Sequence, residues 1–444
     1  MTNWKKVKLK EVLKQYRDTH WIEDKNYKQV TISQTGEVSY RGTKHGSQIG
    51  RKRQFLIDLD NHPQTLIFIR QGVFKNGIGI CPPEVDGCIV TENMPMFDIV
   101  NINPEFLNYY IRSPQFRADV DMLVPLGTAQ KAIHERQLLE LEIPLPQKEI
   151  QEEIVRKVKS ASKGVSELNH LNNKNETYIS KLRNAILQEA VQGKLVKQNP
   201  ADEPASVLLK KIKTEKDKLI KEGKIKKDKP LAPISKDEIP YELPREWEWV
   251  RLGDYFDLKT GATPSTAVPA YWGGKIKWLA SGDVNKLEIF DCKGRITEDG
   301  LKNSNCKVLP KDSVMIALNG QGKTRGTVAM LRIEAACNQS LVAIISPDKN
   351  KLVPEYVYHY LKSNYMNIRN ITGHTQRHGL NMKIVANLII AVPPTFEQAR
   401  IVEKVDKLMA YCDELEKQVK ENQQNSEKLM GAVLKESFEN GKSS

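Results

Sequence analysis

The chain has little that would support chemistry of its own. Its six cysteines (Cys81, Cys88, Cys292, Cys306, Cys337 and Cys412) are scattered, with no Cys-x-x-Cys pair. That pattern argues against a zinc site or a disulfide framework and for reduced, structural thiols in a cytoplasmic protein. No apolar run approaches the ~20 residues of a membrane span; Val385 to Val392 is short and broken by Asn387. The opening MTNWKKVKLKEVLK lacks the apolar core of a secretion signal. With a mean hydropathy of −0.51, the composition predicts a soluble protein.

Catalytic motifs are missing as well. Gly320-Gln321-Gly322-Lys323-Thr324 resembles a phosphate-binding loop, but position 317 is alanine where GxxxxGK[ST] needs glycine, and Arg325-Gly326-Thr327-Val328 continues as a strand. Nucleotide hydrolysis is therefore rejected. Base methylation would need an Asp or Asn before Pro-Pro-aromatic, yet Pro82-Pro83 follows Cys81 and Pro393-Pro394 follows Val392. No glycine-rich strand-turn-helix for a methyl donor is visible. Pro347-Asp348 is not followed by a carboxylate-x-Lys nuclease motif. His374 and His378 have the spacing of a metal pair but no glutamate between them and no third ligand. We therefore expect no catalytic residue, no metal and no cofactor.

What the chain does have is positive charge and a duplication. Its net charge is +13 over 444 residues. A surface of that kind favours a phosphate-rich partner, because binding releases condensed counterions. Shifted by 247 positions, Pro146–Glu189 aligns without a gap on Pro393–Glu436, and fourteen of the 44 pairs are identical. Chance would give about three, so the repeat is real. Both copies carry apolar or small residues at 4,3 spacing. The spacing predicts two long helices paired through a coiled-coil seam of Ile154, Val158, Val165, Leu168, Leu182 and Ile186 in one, and Ile401, Val405, Leu408, Leu415, Leu429 and Val433 in the other. Asn172, Asn175, Asn422 and Ser426 read as interruptions of it. A helix of 44 residues would span about 66 Å.

Around these helices the chain divides into a first unit (1–146), a first long helix (147–193), a basic helical linker (194–240), a second unit (241–393) and a second long helix (394–439). Short β-like runs at Gln29–Ile32, Phe55–Leu59, Thr65–Ile69, Gly77–Ile80 and Cys88–Val90 precede a helix at Pro104–Ile111. The second unit repeats the frame. Trp4-x-x-Val7-x-Leu9 matches Trp247-x-x-Val250-x-Leu252, Pro104-Glu105-Phe106 matches Pro354-Glu355-Tyr356, and Gly127–Gln130 matches Gly373–Gln376. The interiors differ. The repeat predicts a pseudo-two-fold molecule of two globular units with the long helices as a spacer between them.

Basic and amide side chains gather in the unlike interiors. The candidates for DNA contact are Lys44, Arg51, Arg53, Gln54, Lys75 and Asn76 in the first unit, and Lys259, Lys275, Gln321, Lys323, Arg325, Gln376, Arg377 and His378 in the second. Arginine and lysine suit guanine edges and amides suit adenine, while any single one is more often a phosphate contact.

In this order, several stretches resemble the specificity subunit of Type I restriction-modification enzymes over nearly the whole chain. They are the duplicated proline entry into each long helix (Ile143–Pro146 and Val392–Pro394), Gly193-Lys194-Leu195-Val196 with Asp202-Glu203-Pro204-Ala205, and Ile239-Pro240-x-x-Leu243-Pro244-x-x-Trp247-x-Trp249-Val250. Gly261-x-Thr263-Pro264 followed by Tyr271-Trp272-x-Gly274-x-Ile276-x-Trp278 completes the set. The resemblance implies the fuller fold, α/β (α+β), with two globular domains separated by an antiparallel coiled coil of the two long helices. It implies a non-catalytic subunit that reads a bipartite asymmetric site on double-stranded DNA, one half per domain. It also implies modification (adenine methyltransferase) subunits and restriction (ATP-dependent translocase/endonuclease) subunits as partners. S-adenosylmethionine and ATP would then belong to those partners. A coiled-coil scaffold that binds nucleic acid without specificity is the alternative; it accounts for the helices but not for the divergent basic loops.

Overall fold

The computed structural model describes residues 4–124, 132–223, 230–320, 322–371 and 379–439. It divides into a first unit of residues 1–175 with 418–444 and a second of residues 176–417.

In the first unit, Lys5–Lys8 pairs antiparallel with Glu142–Leu145, placing Val7 opposite Ile143. Both of those apolar residues are fully buried, whereas their neighbours Lys6 and Glu142 face solvent, as strand alternation requires. Leu13–Tyr16, Met96–Ile99, Thr65–Phe68 and Ile78–Ile80 form an antiparallel four-stranded sheet in that order. A second sheet runs Thr19–Trp21, Arg53–Leu56, Cys88–Val90, Asn26–Ile32, Val38–His45. Helices Pro104–Tyr110 and Pro114–Asp121 start with proline at the first position, and the side chains of Asn103 and Ser113 cap them. Their buried face packs on the first sheet and on the long helices: the ring of Phe438 lies 5.4 Å from Phe106 and 5.3 Å from Tyr110, edge to face.

The second unit repeats the frame with a different filling. Glu248–Arg251 pairs with Ile389–Val392. A five-stranded sheet runs Asp257–Thr260, Leu341–Ile345, Ser313–Ala317, Val328–Leu331, Glu288–Ile289, and a three-stranded one runs Arg295–Ile296, Trp272–Leu279, Ala336–Cys337. The helix Pro354–Ser363 packs on the larger sheet in the place of Pro104–Tyr110. Lysine-rich Ala205–Lys221, the linker helix, buries Leu208, Leu209 and Ile212, so one face of it packs.

The two long helices are Lys148–Val191, the central helix, and Thr395–Glu439, the distal helix. The central one ends before Gly193, which adopts φ +70, the left-handed conformation that stops a helix at low cost. In the first unit the start of the central helix meets the end of the distal one, with Lys157 and Glu436 paired at 2.8 Å. In the second unit the end of the central helix meets the start of the distal one, and Arg183 donates to Asp413 at 2.5 Å and to Glu416 at 3.2 Å. Each pairing is antiparallel.

The seam differs from the one expected. Ile154, Val158, Ile186, Ile401 and Val405 are buried, and Val165, Leu408 and Val433 are half-buried. Leu168, Leu182, Leu415 and Leu429 are instead 43–49% exposed. The buried positions nearest them are Asn172 and Ile179 on the central helix and Cys412, Val419 and Ser426 on the distal one. The heptad itself is kept: Val158, Val165, Asn172, Ile179 and Ile186 recur every seven residues, as do Val405, Cys412, Val419, Ser426 and Val433. Only this one of the two expected columns stays on the seam, and Asn172 and Ser426, which had read as interruptions, belong to it, while the column of the four leucines faces outward.

Candidate nucleic-acid interface

In the first unit the exposed cations collect where the five-stranded sheet ends in three loops. Asn26 pairs with His45, so the loop after Trp21 and the turn after His45 lie side by side. The backbone N–H of Ile22 donates to the Lys52 carbonyl at 2.8 Å, and the Lys52 ammonium donates to the Gly46 carbonyl at 3.2 Å. These bonds bring Lys44, Arg51, Lys52 and Arg53 to one end of the sheet. Arg51 and Arg53 are exposed and Lys44 is half-buried. Arg51 shares its charge with Glu92 at 3.3 Å.

Trp21 joins this group and was not foreseen. It stands directly across from Arg53 in the strand pair and is 65% exposed. An aromatic in a three-residue strand reads as core from sequence alone; only the pairing shows that it faces out beside an arginine. Stacking on a base or sugar is the use such a neighbourhood offers.

Two expected contacts in this unit are spent on the fold. Gln54 is buried, and its amide donates to the Arg51 carbonyl at 2.7 Å, holding the basic loop from behind. Strand alternation turns it inward while Arg53 faces out. Asn76 has φ +59, closes its turn, donates to the Gln34 carbonyl at 2.9 Å and accepts from Arg117 at 3.0 Å. An amide in a left-handed turn that binds its surroundings on both sides has little left for a base. Lys75 is exposed beside it, at the opposite end of the sheet from Lys44, because Gln34 lies in the turn that joins Asn26–Ile32 to Val38–His45.

In the second unit, strand registers bring three segments to one end of the five-stranded sheet. Thr260 pairs with Val342, Ala317 with Leu341, and the Leu318 N–H donates to the Ser340 carbonyl at 2.8 Å. The loop from Leu318 to Thr327 therefore rises beside Thr260–Thr263 and Gln339. It is a hairpin, with the Gly326 N–H closing on the Ala317 carbonyl at 2.9 Å. Gly320, Gly322 and Gly326 all take positive φ, which side-chain-bearing residues rarely adopt. Arg369 donates to the Gly322 and Arg325 carbonyls, and the Tyr365 hydroxyl donates to the Lys323 carbonyl at 2.8 Å. The backbone of the hairpin is thus fixed from below while the Lys323 side chain is exposed and that of Arg325 is half-buried.

Beside the hairpin base lies an open groove of about 800 Å³, lined by Lys259, Thr260, Thr263, Asn305, Lys307 and Gln339 among others. Lys259 is tied to Asp257 at 2.7 Å, which removes part of its charge from the groove. Asn305, Lys307 and Gln339 come from loops whose sequence carries no signal; topology alone brings them together. Burial pushes the Cys337 thiol behind Gly261 up to about 12, so it stays protonated. Lys275 is exposed on the smaller sheet. Gln321, Gln376, Arg377 and His378, together with His374, lie outside the described residues. Gly379, next in the chain, packs against Asn319 so closely that a Cβ there would collide with its side chain.

No described helix is long and apolar enough to cross a membrane. Compared with known proteins, residues 244–423 match the Type I restriction modification DNA specificity domain. The chain is 35% identical over 259 residues to the Type I restriction enzyme EcoEI specificity subunit of Escherichia coli, covering 54% of this chain and 41% of that protein. It is 31% identical over 273 residues to the EcoAI specificity subunit of the same organism, covering 58% and 44%. It thus spans less than half the length of these curated relatives. Among solved structures it resembles a chain of a type I R-M system at a TM-score of 0.69, with 20% identity and 98% and 97% of the two chains covered. The HsdS subunit from Thermoanaerobacter tengcongensis gives a TM-score of 0.55, also at 20% identity, over 98% and 96%. At such identity these two likenesses speak for the fold.

Proposed function

We propose, for a chain that belongs with the Type I restriction specificity subunits and whose residues 244–423 form their DNA specificity domain, that it is a non-catalytic subunit reading a bipartite, asymmetric DNA site. Each unit reads one half. The observation that carries this reading is a common frame under unlike loops. The same strand ribbon, the same proline-started helix and a half of each long helix recur in both units. The basic ends they carry share neither sequence nor sheet order. Duplicated support with divergent tips suits two different half-sites held by one scaffold.

The exposed leucines give the scaffold its second task. Leu168 and Leu182 align with Leu415 and Leu429 in the repeat. A leucine kept in both copies and left outside the seam fits a docking face that occurs twice. Two modification subunits would dock there, and restriction subunits would join that core. Methyl donor and nucleotide would belong to those partners, and the site of action would be the cytoplasm, where buried free thiols persist.

Selection of bound sequences from a random DNA pool, with the modification subunit present, tests this. The expected outcome is two short defined blocks separated by a spacer of fixed length. Recovery of unenriched DNA, or of one continuous palindromic block, overturns it.

A further inference from the structure

Each unit has a cleft at the same place in its frame. In the second unit it is the groove beside the hairpin base, bounded by Leu258, Lys259 and Thr260 at the end of one strand and by Met382 at the start of the helix that precedes the ribbon. In the first unit a cleft of about 210 Å³ is bounded by Gln15, Tyr16 and Arg17 at the end of the corresponding strand. Glu135 closes it, the first residue of the helix Glu135–Leu139 and 247 positions before Met382. The wall of this cleft reaches the basic end of the unit. Glu92, part of it, pairs with Arg51 at 3.3 Å, and Phe55, also part of it, lies under the Arg53 guanidinium, 5.7 Å from the ring centre.

The cleft holds one arginine that is gripped by its side and open at its end. Arg70 donates from Nε to Oε2 of Glu135 at 3.1 Å and from one terminal nitrogen to Oε1. The Gln15 amide donates to the same Oε1 at 3.5 Å. The backbone is fixed as well: the Arg70 N–H donates to the Asn93 carbonyl at 3.0 Å, and its carbonyl accepts from the Ile133 N–H at 2.9 Å. The Arg70 side chain is 21% exposed and that of Glu135 12%. A guanidinium has five donors, and a grip through Nε and one terminal nitrogen uses two. The two that form the end of the fork are among those left over, and they have no partner among the described residues.

The chemistry of that end selects its ligand. Two parallel N–H groups match the O6 and N7 acceptors of guanine. A phosphate also offers acceptors, but Glu135 already balances the charge of Arg70, so a phosphate gains little Coulomb attraction there and hydrogen-bond geometry decides. An ion pair kept out of water is weak support for stability; aiming a rigid fork is a use it can have. Given the DNA-reading role proposed for the two units, on which this inference rests, we propose that Arg70 reads a guanine of the half-site assigned to the first unit. Glu135 and Gln15 are its positioning residues. Arg51 and Arg53, outside the cleft, are left to meet phosphate.

The test titrates the full chain, with the modification subunit present, against the DNA site it selects, each guanine in turn replaced by 7-deazaguanine, which lacks only the N7 acceptor. The parent should bind about tenfold more weakly when one particular guanine is replaced. Arg70→Lys keeps a cation beside Glu135 but has no fork. It should lose that sensitivity while the other guanines keep theirs. Arg70→Met with Glu135→Met removes the pair without stranding a charge and should behave likewise, with the salt slope unchanged. A parent indifferent to every 7-deazaguanine, or a sensitivity that survives in both variants, overturns the proposal. So does a double variant that binds all sequences more weakly with a salt slope lower by about one unit, since Arg70 would then meet phosphate. Equal weakening of both half-sites with a lower urea midpoint would make the pair structural and overturn it too. If the chain selects no bipartite site at all, the DNA-reading role itself fails; a bipartite site with no 7-deazaguanine effect that depends on Arg70 sinks this inference alone.

Discussion

Gln151 and Gln398, 247 residues apart, make the same pair of hydrogen bonds. The amide of Gln151 donates to the Pro146 carbonyl at 2.8 Å and accepts from the Asn103 N–H at 2.8 Å. That of Gln398 donates to the Pro393 carbonyl at 3.0 Å and accepts from the Val353 N–H at 2.9 Å. Each glutamine ties the first turn of a long helix to the start of the proline-initiated helix beside it, and both are buried. Replacing Gln398 by methionine keeps the volume and strands a backbone N–H and a carbonyl away from water. The variant should lose about 1–3 kcal/mol, read as a lower urea midpoint with unchanged slope. A loss below about 0.5 kcal/mol would mean that water replaces the amide.

That clamp explains why so much of the frame was legible. Identical residues at a fixed offset are those that make identical contacts, so the repeat could be read before any coordinate. The proline-started helix at Pro104 and the strands at Thr65 and Cys88 were legible for the same local reasons. The strand order was not. Asn26–Ile32 lies beside Cys88–Val90, some sixty residues on, through long-range pairing that no local pattern encodes. Nor could sequence tell Arg53, which faces out, from Gln54, which faces in. Both are polar, and only the sheet decides which is spent on its own loop. The seam failed for a different reason: two columns repeat every seven residues, and apolarity pointed to the leucines although the buried column is the one that holds Asn172 and Ser426, as Leu168 shows most plainly.

Glu397 sits one residue before Gln398, is almost fully buried, and accepts from the Trp247 indole N–H at 3.1 Å. Burial raises its carboxyl above the ordinary value of 4.5, against the lowering effect of that indole. A raised carboxyl destabilises the fold wherever it is ionised. Its cost is therefore full above the folded value, declines as pH falls through it, and vanishes below 4.5. Glu397→Gln keeps an acceptor for Trp247 without the charge. It should be more stable than the parent by on the order of 1 kcal/mol at pH 8, with the gap closing toward pH 4. Denaturant unfolding at the two pH values measures this, and a variant weaker than the parent at pH 8 would show that the charge is favourable there.

The exposed leucines separate folding from assembly. Ile401, fully buried, should cost about 2–5 kcal/mol on substitution by alanine. Leu168→Ala with Leu415→Ala should change stability by no more than about 0.5 kcal/mol per site, because neither side chain lies in the seam. The same pair should lose capture of the modification subunit in a pull-down. If the leucine pair unfolds the protein as Ile401→Ala does, the seam runs where the heptad count put it. If it leaves both stability and capture intact, the duplicated leucines have no docking role.

The hairpin of the second unit allows phosphate and base contacts to be told apart. Its backbone is fixed by Arg369 and Tyr365 through the carbonyls of Gly322, Lys323 and Arg325. Trimming Lys323 to alanine therefore leaves the loop in place, and for Arg325 a parallel measurement of stability separates a lost DNA contact from a loosened loop. Lysine is a point charge, suited to phosphate; arginine offers a planar fork that matches the guanine edge. Lys323→Ala should weaken all DNA sequences alike and lower the salt slope by about one unit. Arg325→Ala should cost about 1–3 kcal/mol and relax preference at one base pair, in the half-site read by this unit alone. Arg369→Ala, which loosens the loop, should degrade both affinity and preference. Measured isotherms across salt and a panel of single-base variants distinguish the three. Identical behaviour of Lys323→Ala and Arg325→Ala would assign both to the backbone, and base readout would then fall to the groove lined by Asn305 and Gln339.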